Sequence, residues 1–96
     1  MKEVFTDRPV AELQKLAKMI IAGDAEKTVL FVNETDEKLQ LICGRSAQIE
    51  SDMNQLIKSV LPLINGRGGG KPDFAQGGGD KLMSAEALLE ACVEKL

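Results

Sequence analysis

The residues whose types and spacing could do chemistry are concentrated in one stretch of the sequence, GRGGGKPDFAQGGG at positions 66–79. This stretch holds seven of the nine glycines in the chain. Because glycine has no Cβ, a phosphate or another backbone can approach it closely, and successive exposed N–H groups can form a concavity that binds an anion. Arg67 and Lys71 would add positive charge to such a site. The stretch therefore predicts an anion-binding glycine loop, with the identity of the ligand left open.

Two further side chains in this stretch extend the prediction to nucleic acids. Phe74 could stack on a base and Gln76 could read a base edge, as recognition of single-stranded RNA commonly requires. A structural interpretation stays open beside this one, in which Phe74–Gln76 is a strand with Phe74 in the core and the glycine runs are tight corners. In that case Arg67 and Lys71 belong to a solvated loop. The stretch lacks the pattern of a Walker loop or of a dinucleotide-binding fingerprint.

Other catalytic and metal-binding chemistry is restricted because the sequence contains no histidine. Acid–base or nucleophilic catalysis through histidine is excluded, and Cys43 and Cys92 cannot complete a four-ligand zinc site. Both cysteines fall on apolar faces of their segments, which favours buried, reduced thiols over a disulfide. We therefore expect no enzyme activity in this chain, and no metal or cofactor.

The length and charge of the chain fit one cytoplasmic domain. Its 96 residues suffice for a single core. The net charge of -3 argues against a wholesale nucleic-acid binder, although residues 66–81 carry three basic groups against two acidic ones. No apolar run approaches the ~20 residues of a membrane span, and no signal peptide opens the sequence. We expect a cytoplasmic protein that does not contact membranes.

The elements that must position the glycine stretch begin with three amphipathic helices. The spacing of apolar residues predicts them over residues 9–22, from Ser51, the capping residue, to Ile64, and from Ser84 to Leu96. The polar residues Thr6–Arg8 precede the first helix as capping candidates, and Gly23 suits a left-handed cap at its end. Pro62 removes one backbone hydrogen bond inside the second pattern, so we expect a kink or a break near Ser59–Leu61.

β-Branched and alternating apolar residues predict three strands, Thr28–Asn33, Leu39–Cys43 and Phe74–Gln76. The short polar connection between the first two indicates an antiparallel hairpin, and Val4–Phe5 is a strand end or a packing anchor. The predicted fold class is α/β with an α+β-like layout: a small, mostly antiparallel sheet, about three packed helices and the glycine-rich loop. The order of the strands is left open.

The stretch GRGGGKPDFAQGGG resembles the signature of the DHH-associated domain that ends alanyl-tRNA synthetases and the long AlaX alanyl-tRNA editing proteins. The order helix, hairpin, helix, glycine loop and terminal helix is similar too, so that the resemblance covers residues 24–96. The opening VFTDRPVAELQKLA is similar to the segment that precedes this domain in the editing proteins. Lys71 stands where a related domain of DHH phosphoesterases carries a histidine, and this departure favours the alanyl branch.

The resemblance implies an accessory tRNA-binding domain, which in the synthetases is thought to engage the outer corner of tRNA(Ala) and to help join aminoacylation to editing. It implies that residues 1–96 are a single domain, with a leading helix segment at 1–23 and the DHH-associated RNA-binding domain at 24–96. The chain would be a fragment of a larger protein, either a synthetase or an editing protein. The implied partners are tRNA for alanine and the catalytic domain of the parent chain.

On this interpretation the residues that bind RNA or phosphate are Arg67, Gly68, Gly69, Gly70, Lys71, Gln76, Gly77 and Gly78. The two cations would contact phosphate, the glycines would allow close approach, and Gln76 would add a polar contact. Two other functions stay open: a packing module that forms a homodimer through an architectural glycine loop, and the nucleotide-binding part of a DHH-type phosphoesterase. Binding of RNA, self-association and binding of nucleotides distinguish the three.

Overall fold

The computed structural model describes residues 1–23 and 26–96. Within them five strands form one sheet: β1 Lys2–Thr6, β2 Thr28–Glu34, β3 Lys38–Arg45, β4 Arg67–Gly70 and β5 Phe74–Asp80. The helices are α1 Val10–Ile21, α2 Met53–Val60 and α3 Ala85–Glu94, with a 3₁₀ helix at Leu61–Ile64. The sheet order is β1-β2-β3-β5-β4. β1 pairs with β2 in parallel and the other neighbours are antiparallel, so the predicted fold class is confirmed.

Helices cover the two faces of the sheet unequally. On one side, here called the α1 face, Leu13 and Ala17 of α1 pack against Phe31 and Ile42. The other side, here called the α2 face, is covered by α2, the 3₁₀ helix and α3, whose apolar side chains form one cluster with β2, β3 and β5. Helix α1 packs on β2 and β3 and reaches β5 through the side chain of Gln14. The β4–β5 end of the α1 face is therefore more open than the rest of the sheet.

The segment Val4–Phe5 belongs to the edge strand β1. The ring of Phe5 meets the ring of Phe31 edge-on, with 5.0 Å between their centres, a geometry that aromatic pairs favour. The chain then turns towards α1 at Asp7, which has a φ of 52° and donates its N–H to the carbonyl of Glu34. The predicted boundary between residues 23 and 24 borders residues outside the described part of the chain. Of the segment before it, β1 belongs to the same sheet as the later strands, and α1 packs on that sheet.

The first and last helices, α1 and α3, are capped in different ways. Helix α1 begins after Pro9 without a capping side chain, and the N–H of Ala22 closes its last turn. Gly23 has no positive φ, so the predicted left-handed glycine cap is wrong: Ala22 closes the turn in a right-handed conformation. Ser84, predicted as the first residue of the last helix, is the cap of α3, because its hydroxyl accepts the N–H of Ala87 at 3.0 Å.

The second helix also begins and breaks for identifiable reasons. Asp52 caps α2, and not Ser51 as predicted, since its carboxylate accepts the N–H of Gln55 at 3.1 Å. Helix α2 ends at Val60, and Pro62 lies in the 3₁₀ helix that follows. The predicted break is confirmed, because proline lacks the N–H that a continued α-helix would need.

The glycine stretch forms a β-hairpin in place of the predicted loop. Strands β4 and β5 pair antiparallel, from Arg67 opposite Gly78 to Gly70 opposite Ala75. β5 is longer than the predicted strand Phe74–Gln76, and β4 has no counterpart in the sequence prediction. The physical reason is that glycine has a low strand propensity and shows no alternation of side chains, so pairing and packing decide its conformation.

The turn of this hairpin is attached to the rest of the fold. The N–H of Met53, at the start of α2, donates to the carbonyl of Pro72 at 2.8 Å. The N–H of Arg45, at the end of β3, donates to the carbonyl of Asp73 at 2.9 Å. These two bonds fix the position of the hairpin relative to β3 and α2.

The two cysteines lie together in the apolar cluster of the α2 face. Cys43 of β3 and Cys92 of α3 are buried free thiols, and the predicted burial of both is confirmed. The hydrogen bond between the two side chains, together with burial, raises the pKa of Cys43 well above its ordinary value. Cys43 is therefore a packed core residue.

Candidate nucleic-acid interface

The β4–β5 hairpin has two different faces, because successive residues of a strand point to opposite sides of the sheet. The residues on the α2 face are Gly68, Gly70, Ala75, Gly77 and Gly79, with Gly66 just before β4. The register assigns Arg67, Gly69, Gln76 and Gly78 to the α1 face, but a Cβ at Gly69 would point towards Asn54 of α2. This division follows from the register, in which Arg67 pairs with Gly78 and Gly69 pairs with Gln76. The glycines therefore have to be considered as two sets.

The glycines on the α2 face are required by packing. A Cβ at Gly79 or at Gly70 would lie 2.5 Å from a backbone carbonyl oxygen, and one at Gly77 would lie 2.8 Å from a side chain of the 3₁₀ helix. Gly66 and Gly68 meet the backbone of β5 in the same way. Real Cβ atoms essentially never approach other atoms within 3.0 Å. A packing role, which the sequence left open, therefore explains these five glycines.

The two glycines that the register assigns to the α1 face are under weaker constraint. A Cβ at Gly78 would lie 3.1 Å from the carbonyl oxygen of Leu39, and one at Gly69 would lie 3.1 Å from Oδ1 of Asn54. Both contacts are tight, but neither falls below the 3.0 Å limit. Because Asn54 belongs to α2, a side chain at Gly69 would point towards that helix, whereas one at Gly78 would stand beside Gln40 on the α1 face. Gly78 therefore gives this face a floor of bare backbone that internal packing alone does not demand.

Grooves between α1 and the hairpin run along this floor. One has a volume of about 310 Å³ and is lined by Val10, Gln40, Leu41, Ile42, Arg67, Gly68, Gln76, Gly77 and Gly78. A second has a volume of about 440 Å³ and is lined by Gln14, Lys18, Ile21, Gly69, Gly70, Lys71, Asp73, Phe74 and Gln76. The eight binding residues predicted from the sequence all line one or both of these grooves. The hairpin thus brings them to a single surface.

The surface carries cations that are not neutralised by ion pairs. Arg67, Lys71 and Lys18 form no ion pair with any residue that the structure describes. The ammonium of Lys18 lies 5.2 Å from the ring centre of Phe74, within the range of a cation–π contact. Asp73 is the one acidic residue among those lining the second groove. An anion would meet Arg67 in the first groove, and Lys18 and Lys71 in the second.

Phe74 has mainly a packing role in this arrangement. It is half-buried and packs against the apolar cluster beneath α1. A Cβ on Gly44 would lie 3.1 Å from its ring, so ring and backbone are in close contact. Of the two roles that the sequence left open for Phe74, the structure supports the one in the core.

The residues of the surface that the sequence prediction missed include Gln14, Lys18 and Gln40. Gln14 donates a side-chain hydrogen bond to Oε1 of Gln76 and so joins α1 to β5. The alternation of β3 does place Gln40 opposite to Leu39 and Leu41, which was a usable signal. What the sequence lacked was the strand order, which brings β5 beside β3.

The described residues contain neither a candidate metal site nor a membrane-spanning helix. No group of three or more histidine, cysteine, aspartate or glutamate side chains among them could hold a metal ion. None of their helices is both long enough and apolar enough to cross a membrane.

The curated proteins of similar sequence named below are alanine–tRNA ligases, each matched over a small part of its length. The DHHA1 domain profile matches residues 3–96. The alanine–tRNA ligase of Lactococcus lactis subsp. lactis (strain IL1403) is 34% identical over 85 residues, which make up 88% of this chain and 10% of the ligase. That of Streptococcus gordonii is 38% identical over 68 residues, covering 71% of this chain and 8% of the ligase. The chain thus spans about a tenth of the length of the curated relatives it matches.

The fold has a solved counterpart in the same family. The crystal structure of the C-Ala domain from Aquifex aeolicus alanyl-tRNA synthetase superposes with a TM-score of 0.85 and 26% sequence identity, covering 97% of this chain and 86% of that chain. These matches favour neither a dimerisation module nor part of a phosphoesterase. The chain belongs to the DHHA1 domain family and is homologous to the C-Ala domain of alanyl-tRNA synthetase.

Proposed function

We propose that this chain is an accessory domain that binds tRNA, specifically tRNA for alanine, on the α1 face of the β4–β5 hairpin. One observation carries this proposal. The unpaired cations Arg67, Lys71 and Lys18 border a floor of glycine backbone in a chain homologous to a domain of alanyl-tRNA synthetase. In this proposal residues 1–96 act as one unit without catalysis of their own, in the cytoplasm, beside the catalytic domain of a parent synthetase.

The chemistry of the surface suits a sugar–phosphate backbone. Arg67 presents several N–H donors in a planar fork that matches phosphate oxygens. Gly78 keeps the floor low, so that a phosphate can lie close to the strands. Lys18 and Lys71 continue the positive surface into the second groove. Contacts of this kind position an RNA and do not by themselves read its sequence.

The affinity of the isolated chain for RNA is expected to be low. Three cations provide few phosphate contacts, and the chain as a whole carries a net charge of -3. In a larger protein the catalytic domain would hold the same tRNA, and the linkage would raise the effective concentration of RNA at this surface. An accessory domain can therefore contribute to tRNA binding without binding tightly on its own.

The test is fluorescence anisotropy with a labelled tRNA(Ala) transcript across a series of salt concentrations, with a different tRNA and an RNA hairpin as controls. Each phosphate contact contributes about -0.7 to -0.9 to the slope of log K against log salt concentration. Arg67→Ala and Lys71→Ala should each weaken binding and make this slope less negative. Lys95→Ala removes the same charge from the exposed end of α3 and is the matched control.

Salt-dependent binding that prefers intact tRNA and is reduced by Arg67→Ala, but not by Lys95→Ala, would support the proposal. Equal affinity in wild type, Arg67→Ala and Lys71→Ala would refute this surface as the binding site. Sedimentation velocity on the same samples reports whether the chain forms the homodimer that the sequence left open.

A further inference from the structure

A row of paired residues crosses the sheet and ends in the groove of about 310 Å³. Asn33 of β2 pairs with Gln40 of β3, Gln40 pairs with Gly78 of β5, and Gly78 pairs with Arg67 of β4. Paired residues lie on the same face of a sheet, and neighbouring strands are about 4.8 Å apart. Gln40 and Arg67 therefore lie roughly 10 Å apart across a position without a side chain.

The first member of this row has an amide whose orientation is fixed by backbone. Asn33 is buried, and its Oδ1 accepts the N–H of Arg8 at 3.1 Å while its Nδ2 donates to the carbonyl of Arg8 at 2.8 Å. A backbone N–H can only donate and a carbonyl can only accept. The amide of Asn33 can therefore satisfy both groups in one orientation only.

This orientation determines how the amide of Gln40 is turned. The second proton of Asn33 Nδ2 is donated to Oε1 of Gln40 at 2.7 Å. The amide oxygen of Gln40 is thereby bound to Asn33, and its Nε2 is left on the other side of the amide group. Nε2 of Gln40 donates to no residue that the structure describes. Gln40 lines the same groove as Arg67, so it offers a neutral donor opposite a charged one.

We propose that Gln40 is a further binding residue of this surface, whose Nε2 donates to an anionic phosphate oxygen that Arg67 contacts from the other side of Gly78. The ligand must supply acceptors, because Arg67 has donors only and the group that Gln40 leaves without a partner among the described residues, Nε2, is a donor too. Asn33 is the positioning residue that holds the Gln40 donor in place. This inference rests on the proposed RNA-binding function, in which the oxygen belongs to a phosphodiester of the tRNA, although a free phosphate has the same chemistry.

The variants that test Gln40 remove its donor in two ways. Gln40→Leu leaves a neutral side chain of similar size, and Gln40→Glu replaces the donor by a second carboxylate oxygen. A hydrogen bond to a charged group corresponds to a change of about tenfold in affinity. We expect Gln40→Leu to bind the tRNA(Ala) transcript about tenfold more weakly with an unchanged salt slope, and Gln40→Glu to bind more weakly still. The control Gln55→Glu adds the same charge at an exposed position of α2 and should bind the transcript like wild type.

The positioning role of Asn33 is tested with a double-mutant cycle. Asn33→Asp keeps the acceptor for the N–H of Arg8 and loses the amide donor to both the carbonyl of Arg8 and Gln40. If Asn33 acts through Gln40, Asn33→Asp weakens binding in the wild-type background and adds no further loss in the Gln40→Leu background. An additional loss in that background would show a merely structural effect. Circular dichroism of each variant reports whether the fold is retained.

A second probe separates this inference from the proposed function. In ¹⁵N spectra of the wild-type chain, inorganic phosphate should shift the side-chain amide signal of Gln40, and Gln40→Leu should weaken the phosphate-induced shift at Gly78. If the chain binds phosphate in this way but binds no tRNA, the proposed function fails and the donor site stands. If the chain binds tRNA and Gln40→Leu binds as tightly as wild type, the inference about Gln40 fails alone. If the chain binds neither phosphate nor tRNA, both are wrong.

Discussion

The two faces of the β4–β5 hairpin are built from the same residue type under different constraints. On the α2 face five glycines let the strands pack against each other and against the 3₁₀ helix, and a Cβ at any of them would come within 3.0 Å of another atom. On the α1 face Gly78 has more room, and it lies between the paired residues Gln40 and Arg67. One face is explained by packing, whereas the other is open and lined by cations.

This difference shows why the glycine content of the stretch predicts a binding loop where the structure has a hairpin with two different faces. Seven glycines in fourteen positions suggested one purpose, but the register divides them between two. Gly78 and Gly79 are neighbours in sequence and lie on opposite faces, so they form a natural pair for experiment. The predictions that follow test whether stability belongs to one face and RNA binding to the other.

The largest expected effect is on stability, at Gly79. Gly79→Ala would place a methyl group 2.5 Å from the carbonyl oxygen of Ile64, and overpacking of this kind typically costs about 1–3 kcal/mol. For a domain of this size, we expect Tm to fall by roughly 5–20 °C, measured by circular dichroism during heating. Gly78→Ala is the matched control and should change the free energy of unfolding by less than about 1 kcal/mol. Equal destabilisation by both variants would show that the two faces are not different.

The next effect is on binding, at Arg67. Its side chain is exposed and makes no ion pair with a described residue, so Arg67→Ala should leave Tm within about 2 °C. Loss of a charge-assisted contact to phosphate should weaken binding of the tRNA(Ala) transcript about tenfold. Anisotropy and thermal denaturation on one preparation measure both. A fall in Tm equal to that of Gly79→Ala would assign Arg67 to the structural face.

A smaller effect on binding is expected at Gly78. Gly78→Ala raises the floor between Gln40 and Arg67 by one methyl group while leaving the charge unchanged. We expect it to weaken RNA binding about threefold to tenfold, a change of roughly 1 kcal/mol, with the salt slope of wild type. Unaltered affinity would mean that no ligand approaches the backbone at this position.

The smallest effect concerns the ion pair that joins β3 to the end of β5. The hydrogen bond from Lys38 Nζ to Asp80 Oδ1, 2.6 Å long, and the charge of Asp80 raise the pKa of Lys38 above its ordinary value of 10.5. Because the pKa is raised on folding, the pair stabilises the fold below about pH 10.5, and this contribution is lost as the pH rises through the pKa of the folded state.

Both partners of this pair are exposed, so the effect is small. Urea denaturation of wild type and Asp80→Asn gives the free energy of unfolding of each protein at pH 9 and pH 11.5. The effect of the pair is the difference between the two proteins in how far this free energy falls over the interval. Wild type should lose more stability over this interval than Asp80→Asn does. An equal loss in the two proteins would show that the pair contributes nothing.

Much of the fold could be predicted from local patterns. The unbroken apolar run of β2 and the alternation of β3 predict strands, and the break at Pro62 follows from its missing N–H. β1 and β4 could not be predicted as full strands. β1 is short and pairs in parallel with a strand distant in sequence, and β4 is mainly glycine, whose conformation depends on its pairing with β5.

The candidate site was predictable in part for the same reason. Arg67 and Gln76 stand out in a stretch of glycine whatever the fold is, so their residue types alone single them out. Gln40 belongs to the surface because β5 lies beside β3, and its amide is oriented by Asn33 through the backbone of Arg8. Neither the strand order nor this chain of hydrogen bonds leaves a local pattern in the sequence.

The most direct test of the central claim is to titrate the ¹⁵N-labelled chain with the tRNA(Ala) transcript at low salt and to follow every backbone amide. We predict that the largest perturbations occur at Arg67, Gly69, Gln76 and Gly78, and at Gln40 on the neighbouring strand, while the amides of α3 stay unchanged. Perturbations centred on α2 and α3, or none at any RNA concentration, would contradict the assignment of RNA binding to the α1 face.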